Sequence, residues 1–269
     1  VDSATRGFSR RQNEIVGLLR ETGRVAVEDL AARFDVSPQT IRRDLNEMSD
    51  ARVITRVHGG AIVASSVENL AYDARKLVAQ AHKRLIGQAA ARLIEDKSSL
   101  FINIGTTTEE VANALAGRSG LLVITNNLNV AAELYRNRQI DVIITGGSVR
   151  PSDGGIVGAT TVDLIRQFRV DTAVIGISAI DEDGTLLDYD VREVHVSRAI
   201  IENARRVILV TDSSKFSRSA PARLGTFADI DILVTDHLPS PAIAALCAAN
   251  DVQVVETGGP EETDPNGVD

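Results

Sequence analysis

Apolar residues in the first sixty positions recur at three- and four-residue intervals, the period of a helix with one buried side. Ile15, Leu18 and Leu19 mark one stripe, Leu30, Ala31 and Phe34 a second, and Ile41, Leu45 and Met48 a third. The spacing predicts helices over residues 8–21, 28–34 and 37–48, with a short extended link at 25–27. Ser9 and Ser37 suit the caps, Gly23 ends the first helix, and Pro38 fits a first helical turn, where its missing N–H costs nothing. Two β-prone runs, 53–57 and 61–63, then flank His58-Gly59-Gly60, a hairpin signal. Leu77, Ala81, Leu85, Ala89 and Leu93 keep helical spacing across 75–95 and predict one long helix. Beyond it the period changes. Six short runs rich in β-branched residues (100–104, 121–125, 141–145, 173–177, 207–210 and 232–235) are separated mostly by helical stretches at 109–116, 129–135, 161–168, 191–203 and 241–249. Alternating strand and helix predicts a mainly parallel sheet covered on both faces.

Composition refines this division. The 269 residues are 43% hydrophobic and 25% charged, as in a globular chain, with no apolar run near the ~18 residues of a membrane span. The first residues lack the apolar core of a signal peptide, so a cytoplasmic location and no membrane partner are expected. The single cysteine, Cys247, excludes an intrachain disulfide and any cysteine-built zinc site. Residues 256–269 hold five acids, no base, two Pro and three Gly, the composition of a disordered tail. The expected organisation is a winged helix-turn-helix DNA-binding domain at 1–63, a polar linker at 64–75, an effector-sensing α/β domain at 76–255, and the acidic tail.

The net charge of −8 argues, taken whole, against a nucleic-acid binder, but it is uneven. Residues 1–60 balance to +1 through ten arginines and nine acids, whereas the remainder sums to −9. A local DNA-reading face on an acidic body fits this distribution, since affinity comes from the patch in contact. The helix at 37–48 offers such a face. Opposite its apolar stripe lie Gln39, Arg43 and Asn46, flanked by Thr40 and Arg42. Arg pairs bidentately with guanine and Asn or Gln with adenine, while Ser37, Thr40 and the helix N-terminus can hold phosphate. A solvated face is the competing reading for any lone Arg-Arg pair; helix, turn, helix and hairpin in succession favour DNA. Arg56 and His58 stand where a wing would touch phosphate or the minor groove.

In the second half, unusual chemistry follows several strands, where open α/β sheets collect ligands. Asn103 precedes Gly105-Thr106-Thr107-Thr108, a glycine and hydroxyls leading into a helix, which suits an anion. No lysine follows, so this is not a nucleoside-triphosphate loop. Thr125-Asn126-Asn127 and Thr145-Gly146-Gly147 end the next two runs, and Lys215 sits among short polar residues after Val210. Each piece alone reads as a turn or a cap. Four at successive strand ends describe a pocket for a small polyhydroxylated phosphate.

Ser37–Met48, followed by Arg56-Val-His-Gly-Gly-Ala61, resembles the signature of DeoR-type bacterial transcription regulators. Phe101–Thr108, Thr125–Asn127 and Asp212–Phe216 are similar to the sensor domain of the same family. That resemblance implies a fold akin to ribose-5-phosphate isomerase and coenzyme A transferases. It implies that the Gly105–Thr108 loop and Lys215 hold a phosphate, that Asn126, Asn127, Gly146 and Gly147 line the polyol end, and that Asp181 and Glu193 stand where such folds keep their acids. Segments 153–158, 175–181 and 198–203 are similar to family members that answer to glycerol 3-phosphate, which becomes the expected effector. Two positions depart from the pattern: Arg52, where relatives often have Gly or Asn, and Asn103, where many have Asp, so that a hydrogen-bonding role remains there.

The expected function is a repressor, dimeric or tetrameric, released from operator DNA by a phosphorylated sugar or polyol, with no cofactor, no metal and no catalytic residue. The alternative is an isomerase or transferase with an accessory DNA-binding domain. Such chemistry needs a lysine beside its acids, and residues 181–193 contain none. A third reading, an α/β domain that only oligomerises, leaves the polar strand ends unexplained.

Overall fold

The computed structural model describes residues 9–22, 24–50, 54–57, 59–63, 72–77 and 79–258. The chain divides into two compact units, residues 1–78 and 79–269. In the first, α1 (Arg10–Thr22), α2 (Val27–Phe34) and α3 (Pro38–Asp50) turn their apolar stripes toward a common centre. Ile15, Leu19, Ile41, Leu45 and Met48 are fully buried there, with Val25, Leu30, Ile54 and Ala61 around them. The turn between α2 and α3 is made by Asp35, left-handed at φ 51°, whose N–H closes on the carbonyls of Ala31 and Ala32. Strands β1 (Arg24–Ala26), β2 (Ile54–Val57) and β3 (Gly60–Val63) pair antiparallel in the order β1-β3-β2, the wing predicted from the two β-prone runs. β1 and β3 approach so closely that a Cβ on Gly60 would run into the Val25 carbonyl oxygen. Gly23, Arg52 and residues 64–71 of the expected linker lie outside the described residues; the last linker positions, 72–75, are helical.

One helix over 75–95 is not what forms. Residues 72–77 make α4 (Tyr72–Leu77), and a separate α5 (Gln80–Arg92) begins after Ala79, which is left-handed at φ 54° and ψ 33°. Hydrophobic spacing is blind to one residue of reversed twist, so the apolar stripe reads straight across the break.

The second unit is built on a seven-stranded sheet of β4 (Ser99–Ile102), β5 (Leu121–Thr125), β6 (Ile140–Ile144), β9 (Thr172–Ile175), β12 (Val207–Val210), β14 (Ile232–Thr235) and β15 (Gln253–Glu256). Their order is β15-β14-β12-β9-β4-β5-β6, and every pairing is parallel. From β4 the chain moves outward to β6, returns to β9 beside β4, and then moves the other way. Alternate strand residues feed two cores. Leu100, Ile102, Val123, Val174, Ile208 and Val234 meet α5, α6 (Thr106–Leu115) and α7 (Leu128–Leu134). Phe101, Ile124, Ile175, Leu209 and Leu233 belong to the core that includes α8 (Ala159–Ile165), α9 (Val191–Glu202) and α10 (Pro241–Ala249). Burial of each such side chain stabilises by about 1.5–3 kcal/mol, which is why the β-branched runs become strands covered twice.

Two small antiparallel ribbons stand outside the sheet. One pairs β7 (Ser148–Val149) with β8 (Ile156–Val157); the other is β10 (Ala179–Ile180), β11 (Thr185–Asp188) and β13 (Ala222–Thr226). At the far edge, β15 takes in Glu256, a residue expected in the tail; its Oε1 accepts the Leu238 N–H at 2.6 Å. The backbone N–H groups of Thr257 and Gly258 bond the carbonyls of Thr235 and Asp236. Among the described residues no helix is long and apolar enough to cross a membrane.

Candidate functional site

The exposed side of α3 is the first candidate. With Ile41, Leu45 and Met48 committed to the core, helical geometry turns Gln39, Arg42, Arg43 and Asn46 outward, and all four are exposed. Ser37 serves the helix start: Thr40 N–H donates to its Oγ at 3.2 Å, and the two hydroxyls lie 2.9 Å apart. Arg43 Nε is 3.1 Å from Glu47 Oε1, and Arg42 Nη2 is 3.5 Å from Glu28 Oε1. Exposed pairs of this kind are worth about 0–1 kcal/mol, so both guanidiniums can leave for a phosphate or base edge. Behind them, Arg11 Nε donates to the buried Asp44 at 2.6 Å and Gln12 Nε2 to Glu47 at 2.9 Å, which orients α3 on α1. The Arg56 backbone lies in β2; its side chain and the whole of His58 lie outside the described residues.

The second candidate lies at the carboxyl ends of the parallel strands. Gly105, at φ 151°, starts α6, and Thr106, Thr107 and Thr108 form its buried first turn. The Thr108 hydroxyl is shared between the carbonyls of Asn103 (2.7 Å) and Gly105 (2.8 Å), so it braces the loop. Asn103 is also engaged by protein: Nδ2 donates to Ser197 Oγ at 2.7 Å and Oδ1 accepts the Ile104 N–H. The backbone and the first two threonines are then the parts of the loop best suited to an anion at the positive helix end. After β5, Asn127 caps α7 through Oδ1 and donates Nδ2 to Glu109. Asn126 gives Nδ2 to the Ile156 carbonyl, while its Oδ1 is buried with no hydrogen-bond partner among the described residues. Thr145 Oγ1, at the end of β6, and Asp212 Oδ2, after β12, are buried in the same condition. An unsatisfied buried polar atom costs about 1–3 kcal/mol, so Asn126 and Thr145, at the ends of neighbouring strands, offer atoms that ligand groups or water would bond, while Asp212 ends β12, three strands from β5. Gly146 and Gly147 follow Thr145; a Cβ on Gly147 would meet Thr161 Oγ1 and lie 2.8 Å from the Val157 carbonyl.

Charge gathers around this floor. Lys215, in the 3-10 turn Ser213–Ser217, is 9% exposed and lies within Coulombic reach of Asp188 and Asp212. Burial would raise Asp212, but Lys215 and Lys83, with a hydrogen bond from Ser214, hold it below the usual carboxylate range. Lys83, 3% exposed on α5, is a further candidate that the sequence reading missed, although a lysine at apolar helical spacing with Ile86 and Ala90 was a signal. Arg150 is the other. Its guanidinium meets Asp153 (Nη2 to Oδ2 2.6 Å, Nε to Oδ1 3.1 Å), Asp190 (3.2 Å) and Glu193 (2.6 Å). Nothing in the turn that carries it sets it apart by sequence. Burial pushes Glu193 up to about 8, with Asp188 adding to the rise and Arg150 opposing it. Burial likewise raises Asp188, against hydrogen bonds from Tyr189 and Ser178. Asp190 is drawn down to about 2, chiefly by Arg192.

Asp181 is not brought to the other candidates. It is exposed in the β10–β11 turn, where its Oδ1 accepts the Glu182 N–H and its carbonyl the Gly184 N–H. A separate cleft between α8 and α9, lined in part by Arg166, Arg192, His195 and Arg198, holds none of the candidates. Arg198 is committed there to the carbonyls of Arg223 and Leu224, and Arg192 to Asp190.

Residues 11–67 match the DeoR-like helix-turn-helix domain and residues 78–237 the DeoR C terminal sensor domain. The glycerol-3-phosphate regulon repressor of Haemophilus influenzae is 51% identical over 231 residues, 86% of this chain and 90% of that protein. Its Escherichia coli namesake is 44% identical over 246 residues, 91% of this chain and 98% of the other. The HTH-type transcriptional repressor CsqR of E. coli is 38% identical over 245 residues, covering 91% and 94%. Among solved structures, ribose 5-phosphate isomerase A of Methanocaldococcus jannaschii is similar over 50% of this chain and 53% of its own, at 15% identity and a TM-score of 0.38.

Proposed function

Since the chain belongs to the DeoR family of transcription regulators, we propose that it is a repressor released from operator DNA by a small polyol or sugar phosphate, with glycerol 3-phosphate the first choice. The carboxyl ends of the strands carry this reading: unpartnered Asn126 and Thr145 atoms after the neighbouring strands β5 and β6, and two buried lysines facing Asp212 after β12, suit a ligand with hydroxyls at one end and phosphate at the other. The phosphate would take the α6 start with Lys215 and Lys83, and the hydroxyls the Asn126, Gly146 and Glu193 side. Gln39, Arg43 and Asn46 would read base edges while Ser37, Thr40 and Arg42 face phosphates. One such helix reads one half-site, so two or four copies would act together on a pseudo-palindrome. Release requires that the ligand bind the two states of the protein with different affinity.

The chain is a regulator rather than an isomerase, and its acids support that. Glu193 is held by Arg150, and Asp181 stands apart in a turn. The test is operator binding on a promoter fragment, titrated with glycerol 3-phosphate and separately with other sugar phosphates. Release at lower concentration by glycerol 3-phosphate is expected. Release by a different phosphate only would replace the effector, and binding that no phosphate alters would overturn the sensor reading.

A further inference from the structure

The β7–β8 hairpin is fastened on two sides. Toward the strand ends, Ile156 N–H donates to the Asn126 carbonyl at 2.7 Å, Leu128 N–H to Gly154 at 3.1 Å, and Asn129 Nδ2 to Asp153 at 3.1 Å. Gly155 packs against Ile104 so tightly that a Cβ would stand 2.6 Å from its Cδ1. The hairpin thus lies against the two residues, Ile104 and Asn126, that border the proposed pocket. Toward α9 the fastening is ionic and runs through Arg150. Asp153 belongs to the hairpin, whereas Asp190 caps α9 and Glu193 sits in its first turn. Without the guanidinium, the Asp153 carboxylate on the hairpin would face the Asp190 carboxylate and the Glu193 carboxyl on the helix, with Asp188 behind them. Arg192 pairs with Asp190 at 2.8 Å, but it is itself exposed and donates nothing to Asp153 or Glu193. All three nitrogens of Arg150 are used, two of them in a fork on Asp153 that a lysine could not reproduce.

We propose that Arg150 is a positioning residue of the effector site: it clamps the Ser148–Val157 hairpin to α9 and orients the Glu193 carboxyl at the polyol side, so that holding the hairpin and presenting Glu193 to the hydroxyls depend on one side chain. The pocket assignment rests on the proposed function; the clamp does not. A ligand that engages Glu193 then reports to the hairpin through a single guanidinium, and the phosphate end, built on α6 and the lysines, meets this circuit only at Asp188, which both Arg150 and Lys215 face.

Amide hydrogen exchange of the full chain without ligand tests the clamp. Arg150→Gln is expected to speed exchange at residues 154–156 by about tenfold or more, leaving β9 and β12 unchanged. Arg150→Lys, which keeps charge but loses the fork, should fall between. Adding Asp153→Asn to Arg150→Gln removes the repulsion and should restore part of the protection, which a packing role would not allow. Calorimetry then compares glycerol 3-phosphate with inorganic phosphate. Arg150→Gln should weaken the first about tenfold and leave the second as it is. Unchanged exchange at 154–156 would overturn the clamp, and equal loss of both ligands would overturn the polyol assignment. Should the neutral variant fail to fold, the lysine variant carries the same comparisons. A wild-type chain that binds neither ligand would defeat the proposed function while the exchange result still decides the clamp.

Discussion

Arg43 is central on the exposed side of α3, and its pair with Glu47 is too solvated to hold it back. If it pairs with a base, Arg43→Ala should cost about 1–3 kcal/mol of operator affinity and relax specificity at one position, as measured by titration on matched and mismatched fragments. Glu193 sets a pH dependence. The folded unit keeps a proton there up to about 8, whereas the unfolded chain gives it up near 4.5. Its contribution to stability is therefore whole below 4.5 and is lost as the pH rises through 8. Asp190 runs the opposite way: its contribution is present above 3.8 and disappears as the pH falls through about 2. Thermal melting between pH 5 and 9 should show stability falling with pH, and Glu193→Gln should flatten that fall; an unchanged slope would remove Glu193 as its source. At this scale the sequence spoke unevenly. Outward residues on α3 were legible because a helix with three buried positions fixes the other side. Arg150 was not, because two of its three carboxylates, Asp190 and Glu193, lie 40 or more residues further on; Lys83 showed only as a lysine at apolar spacing, with its partner Asp212 far off in the chain.

Helices and strands were read well wherever burial imposes a period. All three stripes of the first unit became helices, and all six apolar runs became strands of the parallel sheet. The pattern failed where period is absent or local. β7, β8 and β10 have two residues each, too few to alternate, and β15 is an edge strand with only half-buried valines. Left-handed Ala79 broke a helix that its neighbours' spacing continued. Close packing between elements gives a sharper test than any one strand. Gly147, at φ 141°, leaves no room for a methyl group between Thr161 and the Val157 carbonyl. Gly147→Ala should destabilise the second unit by about 1–3 kcal/mol, through overpacking and backbone strain, and denaturant melts would measure it. No loss would mean that β7 moves freely.

For the whole molecule, two units with separate cores should melt separately. Leu45 is fully buried at the centre of the first, so Leu45→Ala should cost that unit about 2–5 kcal/mol. Calorimetry should then show the transition of the first unit lowered and that of the second unmoved, while an effector should raise only the second. A single transition shifted by both would join the units into one cooperative body. The division falls beside Ala79, where α5 opens with its own bond from the Lys83 N–H to the Ala79 carbonyl. The second unit starts its own helix there. That makes the position a seam for recombination: a gene spliced there could place this sensor behind a different reading head, so that one metabolite commands another set of promoters.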